Sequence, residues 1–235
     1  MSKRFWSQKS QKTPTNTAFS CKPRKLYLAI ATQMLMAGSA IAGPEGGQVV
    51  GGSGAIAQEG LTTTVTQDTH KLAIDWQSFD VAVDEKVQFI QPSQSAIALN
   101  RIIGSNGSEI HGQIQANGHV ILVNPNGVIF SESATVNAGG LIASGLSINP
   151  EDFINGDLVF KQLEGTDGSV VNAGLINASL GGNVALLGKE VENRGLIMAN
   201  KGTVSLASGE EVVLTFDQDG LLGVRVDEAV LQEKF

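Results

Sequence analysis

Short runs of aliphatic and β-branched residues recur along this chain, too short and too closely spaced for helices. Thr62–Val65, Lys71–Ile74, Val87–Ile90, Ala96–Leu99, Val120–Val123, Val128–Phe130, Leu158–Phe160, Val184–Leu187, Val204–Leu206 and Val212–Phe216 are the clearest. Gly, Asn, Ser or Asp stand between most of them, and residues of this kind punctuate strands. Helical periodicity is nearly absent.

The runs also repeat. Val171-Asn172-Ala173-Gly174-Leu175-Ile176 aligns with Glu192-Asn193-Arg194-Gly195-Leu196-Ile197 at an offset of 21 residues, and Gly182-Asn183-Val184-Ala185-Leu186 aligns with Gly202-Thr203-Val204-Ser205-Leu206 at 20. Ala116–Leu122 and Val136–Ile142 carry earlier copies of the two halves. A period near twenty residues is one turn of a β-solenoid, in which alternate aliphatic residues point inward and stack on the turns above and below. The reading is therefore an all-β chain wound as a parallel β-helix. Its length suggests roughly eight turns, with strands about 4.8 Å apart. Asn172 and Asn193 fall in register and predict an amide ladder at a corner.

Three regions break the pattern. Asn149–Thr166 holds Pro150, Asp152, Asn155-Gly156 and Asp157 and reads as a protruding loop or hairpin. Val212–Phe216 and Leu222–Val226 flank Asp217–Gly220 and read as an antiparallel hairpin off the stack. Gly46–Ile90 shows no repeat and is assigned to an N-terminal cap and first turns, because a bare solenoid end invites edge-to-edge aggregation. Trp76 and Phe79 are the candidate aromatic plugs of that cap; an ordinary core place for Trp76 is the alternative.

The sharpest turn is Asn124-Pro125-Asn126-Gly127, between Gly118–Val123 and Val128-Ile129-Phe130. Pro fixes φ, while Asn and Gly tolerate positive φ. These four residues are candidates either for recognition by a partner or simply for making the turn. Asn100 and Arg101 form a second candidate pair, against which stand a corner-capping Asn and a solvated Arg.

Composition adds a compartment. Aromatics make up 5% of the 235 residues, so aliphatic side chains must build the core. Seven of the 16 basic residues precede residue 26 and no acidic residue precedes Glu45, leaving a body with 9 basic and 23 acidic residues. Such a body does not suit nucleic acid, whose binding relies on clustered Lys and Arg. The basic start is followed by the apolar run Leu26–Ala37 and by Ala40-Ile41-Ala42. Together they read as a long export leader over residues 1–42, cut between Ala42 and Gly43, with the folded domain at 43–235; an uncleaved anchor is the alternative. The one cysteine, Cys21, lies in that leader, so the exported part holds itself together without disulfides.

Signals for chemistry are weak. Gly52-Ser53-Gly54-Ala55-Ile56-Ala57 fits a loose dinucleotide fingerprint, but the strand-like Thr62–Thr66 follows where a helix is required. His70, His111 and His119 lack cysteine partners and helical spacing, so neither a metal nor any other cofactor is expected. Asp217-Gln218-Asp219-Gly220 resembles part of a calcium loop without its terminal Glu.

The segments Gly46–Gly52, Ile74–Phe79, Val87–Pro92, Ala98–Ile102, Ile110–Ile114, Ala116–Gly118, Asn124–Phe130 and Gly140–Ser144 together resemble the N-terminal secretion domain of filamentous-haemagglutinin-like exoproteins of two-partner secretion systems. The resemblance runs from about Gly46 to the end. It implies a right-handed parallel β-helix with an N-terminal cap and extra-helical hairpins. It implies Sec export to the periplasm of a Gram-negative cell, recognition by the POTRA domains of a partner outer-membrane β-barrel transporter, and a secreted or surface product. Relatives continue into an adhesin, haemolysin or contact-dependent toxin passenger, aimed at a host or neighbouring cell. This chain stops at Phe235, and so reads as a fragment or truncated product. The rival readings are a free-standing carbohydrate-binding adhesin and a β-helix enzyme acting on polysaccharide. An enzyme needs a charged cluster on one face, whereas Asp and Glu are scattered here; no enzyme is expected.

Overall fold

The computed structural model describes residues 43–166, 168–216 and 222–226. The expected leader with Ala42, and the turn at Asp217–Gly220, lie outside the described residues. The chain enters through β1 (Gln48–Gly51) and β2 (Gly54–Glu59). It winds through β3 (Thr62–Gln67), β4 (Lys71–Trp76), β5 (Lys86–Ile90), β6 (Ile97–Ile102), β7 (Ser108–Ile110), β8 (Gln113–Ala116), β9 (His119–Val123), β10 (Val128–Phe130), β11 (Thr135–Ala138) and β12 (Gly140–Ser144). A short helix, α1 (Pro150–Asn155), and β13 (Leu158–Lys161) interrupt the winding. It resumes with β14 (Ser169–Asn172), β15 (Leu175–Ala178), β16 (Val184–Gly188), β17 (Glu190–Asn193), β18 (Leu196–Ala199) and β19 (Val204–Ser208). The last described strands are β20 (Glu211–Phe216) and β21 (Leu222–Val226).

Three parallel ladders form the walls of a β-solenoid. One runs β4-β6-β9-β12-β16-β19, a second β3-β5-β8-β11-β15-β18, and a shorter third β7-β10-β14-β17. The strands β1 and β2 add to β4 and β3 in antiparallel fashion and close the N-terminal edges of the two longer ladders. About seven turns result, fewer than length alone suggested, because the chain spends residues on this cap and on the outer layer described below.

Register explains the core. In the second ladder Thr63, Val87, Ile114, Val136, Ile176 and Ile197 lie one above another. In the first, Leu72, Ala98, Val120, Leu141, Val184 and Val204 do the same. Most of these side chains are buried in one continuous cluster inside the coil. Each buried methylene contributes about 0.8 kcal/mol, so the repeated rungs, and not any single contact, hold the stack. The expected ladder is present: Asn172 Nδ2 donates to Asn193 Oδ1 at 2.7 Å.

One corner is made of glycines. The Gly139 N–H donates to the Gly118 carbonyl at 2.7 Å. A Cβ on Gly182 would overlap the Gly139 carbonyl oxygen, and one on Gly202 would overlap that of Gly182. Successive coils approach so closely here that only glycine fits.

The segment Asn149–Thr166 does not protrude. The Asn149 side chain accepts the Glu151 N–H at 2.8 Å and caps α1, whose first turn holds Pro150. Gly156, at φ 108°, ends it. Lys71 Nζ donates to the carbonyls of Phe153 and Ile154 at 3.0 Å each, tying the helix to β4. Phe153, Leu158 and Phe160 then bury themselves against the outer side of the first ladder, in a cluster with Leu99, Ile121, Leu187, Val212, Leu214 and Leu222. The expected terminal hairpin is present as β20 and β21, and β13 joins its free edge in an antiparallel outer sheet. The first ladder is thus covered on both faces. Apolar residues at alternate positions of the insertion gave it a surface to bury, so it folded back as a layer.

At the far end two inward rungs are bare: Val204 and Leu206 are 43% and 49% exposed.

Two outcomes follow from this packing. Gly182→Ala is expected to lower stability by more than about 3 kcal/mol, because its methyl meets backbone on the neighbouring coil; urea unfolding measures it. His119, on β9, has its pKa lowered, first by burial and then by the charge of His70. The folded protein therefore resists protonating His119, and stability is full above about pH 6.5 and falls as pH drops below it. His119→Gln is expected to flatten that part of the stability–pH curve.

Candidate functional site

The Asn124–Gly127 turn carries the chain from β9 in the first ladder to β10 in the third. Asn124 is fully buried. Its Oδ1 accepts the Asn126 N–H at 3.0 Å, an Asx turn, and the Gly127 N–H donates to the Asn124 carbonyl at 2.9 Å. Gly127 adopts φ 110°, a conformation that disfavours a side chain. Asn124 Nδ2 donates backward to the Asn106 carbonyl at 2.9 Å and to Ser108 Oγ at 3.0 Å. Asn126 Nδ2 donates to the Gly104 carbonyl at 3.0 Å. Forward, the Asn124 N–H donates to the Ser144 carbonyl, and the Pro125 carbonyl accepts the Gly168 N–H, both at 2.9 Å. One corner is therefore tied to the coil before it and the coil after it. Pro125 and Gly127 are buried too, and Asn126 is half-buried.

Asn100 does not cap a corner. It lies mid-strand on β6, fully buried, in the stack Ile74, Asn100, Leu122, Ala143, Leu186. A polar group in such a stack is costly unless paired. Its Oδ1 accepts the Trp76 indole N–H at 3.1 Å, and its Nδ2 donates to the carbonyls of Ala98 and Ile121, each at 3.3 Å. Trp76 meets Phe79 edge-to-face with centroids 5.5 Å apart, and a Cβ on Gly47 would press on the Trp76 ring at 2.5 Å. The two aromatics therefore belong to the inner core at the N-terminal end, beneath the incoming chain.

Arg101 is not a solvated arginine. Its Nε and Nη2 hold both Asp75 oxygens at 2.8 Å, and Nη1 donates to the Ile148 carbonyl at 3.0 Å. The fork locks β4 to β6 and ties both to the segment leading into α1. The structure brings Trp76 and Asn100 together, and leaves Asn124 in a separate network. Gly43, after the expected leader cut, is buried.

Sequence reasoning missed several residues that complete this corner chemistry. Ser108 receives Asn124. Gln91 Nε2 donates to Gln67 Oε1 at 2.9 Å, Gln91 Oε1 accepts the Gly118 N–H at 2.8 Å, and Asn117 exchanges bonds with the Gln91 backbone. A Gln or Asn recurring at the end of successive strands in the second ladder was the available signal. On the outer surface, the side-chain hydrogen bond from Arg194 holds the Glu192 carboxyl below its usual range. No group of three His, Cys, Asp and Glu among the described residues is placed to hold a metal ion.

A family model described as the TPS secretion domain matches residues 40–227. The chain belongs to the TPS secretion domain family. It is thus the secretion domain of a two-partner exoprotein. The solved secretion domain of HMW1 from Haemophilus influenzae superposes with a TM-score of 0.70 at 28% identity, covering 78% of this chain and 48% of that one. A Haemophilus influenzae protein named heme/hemopexin-binding protein is 36% identical over 195 residues, which is 80% of this chain and 21% of that protein. A second protein of that name and organism is 48% identical over 81 residues, 34% of this chain and 9% of that one. The chain spans about a fifth of the longer match. Neither a free-standing adhesin nor a polysaccharide-acting β-helix is favoured.

Asn124→Ala in this TPS domain is expected to cost about 1–3 kcal/mol, because it strands the Asn126 N–H and removes the donor to Asn106 and Ser108. Denaturant unfolding of the purified protein measures the loss.

Proposed function

We propose that the domain is read by its transporter before the coil closes. A leader over residues 1–42, cut after Ala42, takes the chain through the Sec machinery, and the domain from Gly43 onward then engages the POTRA modules of a partner outer-membrane barrel. The product passes through the barrel to the surface or medium, and a passenger of the adhesin, haemolysin or toxin kind acts on a host or neighbouring cell. In this reading Asn124, Pro125, Asn126, Gly127, Asn100 and Arg101 contribute to recognition as part of an extended chain.

The observation that carries this reading is burial. Asn124 and Asn100 are wholly inside the folded coil, and Arg101 is occupied by Asp75 and Ile148. A partner that recognises these side chains has to meet them before folding. Strand addition to a POTRA sheet edge supplies backbone affinity for such a chain without demanding one fixed sequence. The exported part carries no cysteine, so no covalent bridge closes it early. Outside the cell each added coil buries aliphatic surface at about 25 cal/mol per Å², which opposes return through the barrel.

Asn137 and Asn177 face each other across neighbouring coils, with Nδ2 to Oδ1 at 3.2 Å. Replacing both with cysteine places two thiols on paired strands at a spacing suited to a disulfide. The oxidised double variant is expected to stay in the periplasm. Each single variant, and the double variant under reductant, is expected to be secreted like the parent. Secretion of the bridged double variant at the parental rate would remove the claim that the chain is exported unfolded.

A further inference from the structure

Glu85 is a buried carboxylate with no cation beside it among the described residues. It is 4% exposed, in the turn before β5. Its Oε2 accepts the Ala82 N–H at 2.8 Å. The ion pairs among the described residues join Arg101 to Asp75, His111 to Glu109, Lys161 to Glu211 and Arg194 to Glu192, and none includes Glu85. A buried charge without a counter-charge is strongly unfavourable.

What stands next to Glu85 is the start of the domain. An ideal Cβ on Gly43 would lie 3.8 Å from Glu85 Oε1, 3.5 Å from Thr63 Oγ1 and 3.1 Å from the Gln58 side-chain amide. The Gly43 nitrogen is about 2.5 Å from that Cβ position by standard backbone geometry, which puts it within about 6 Å of the carboxylate. Gly43 and Pro44 are both buried. The chain just after them is fixed, because Glu45 exchanges backbone hydrogen bonds with Ser78 and its carbonyl accepts the Gln77 N–H. The first residues are therefore held in place beside Glu85, which has no ion-pair partner among the described residues.

We propose that Glu85, with Thr63, is a receptor for the α-ammonium group created when the leader is cut after Ala42. Hydrolysis of the Ala42–Gly43 bond consumes one water, leaves a carboxylate on Ala42 and places an ammonium on Gly43. That ammonium supplies the missing positive charge at Glu85. The uncut chain has only a neutral amide there, so leader removal completes the N-terminal cap. Docking of the cap is thereby coupled to processing, and a precursor still carrying its leader folds with a weaker first turn. The inference rests on the cut after Ala42 stated above, and extends it to a function for the new terminus.

The test uses full-length protein expressed in a Gram-negative host, with the processed form purified. Intact mass gives the first residue; a start other than Gly43 overturns the cleavage site and this inference together. With a Gly43 start, competitive acylation is expected to modify the α-amine at least about tenfold more slowly in folded protein than in urea-unfolded protein. Equal rates overturn the pairing while leaving the cleavage reading intact. Selective Nα-acetylation, which removes the charge, is expected to lower the thermal midpoint of the parent and to leave that of Glu85→Gln unchanged. Equal shifts in both proteins also overturn it. If Glu85→Gln does not fold, the acylation rates on the parent alone decide.

Discussion

No coil of this solenoid satisfies itself. The backbone groups of a strand such as β9 bond to β6 on one side and β12 on the other, and its inward side chains find their neighbours in those same coils. Every turn depends on register with the next, since a slip of one residue would face the aliphatic rungs to solvent. That dependence is one-dimensional: each repeat is stabilised by its immediate neighbours. It accounts for the corners as well. Glycine at 118, 139, 182 and 202 lets the coils approach, and Asn or Gln at other corners spans the gap with a side-chain amide.

The repeating part of the fold was legible because its two periods, near twenty between turns and two within strands, are written in the residue types. Asn172 and Asn193 fall in register by sequence offset alone and do bond. What lay outside the repeat was harder to read. Asn149-Pro150-Glu151-Asp152, followed by Gly156, has the marks of a capped helix, but α1 is only six residues long and offers no periodicity to detect. Phe153, Leu158 and Phe160 did not announce which surface they would cover, since that surface is the outer side of strands whose inner side already explained their composition.

The polar residues show a similar limit. Asn124 was visible because turn chemistry is local and Pro125 and Gly127 frame it. Asn100 was visible as an unusual residue, yet its role depends on Trp76, 24 positions earlier, and Arg101 depends on Asp75, 26 positions earlier. Partners that far apart meet only once the coil spacing is known. Both separations are close to one turn, so a polar residue in a solenoid is best interpreted against what stands one period away.

The outer sheet draws its strands from distant parts of the chain: β13 leaves the winding before the last coils, and β20 arrives after them. For a chain that winds coil by coil from its N-terminal end, Phe153 and Phe160 would wait, half covered, until β20 arrived to pair with β13. Closure of that layer is then a late checkpoint, reached only when the coils between β13 and β20 have taken their places, and it fastens them like a clasp.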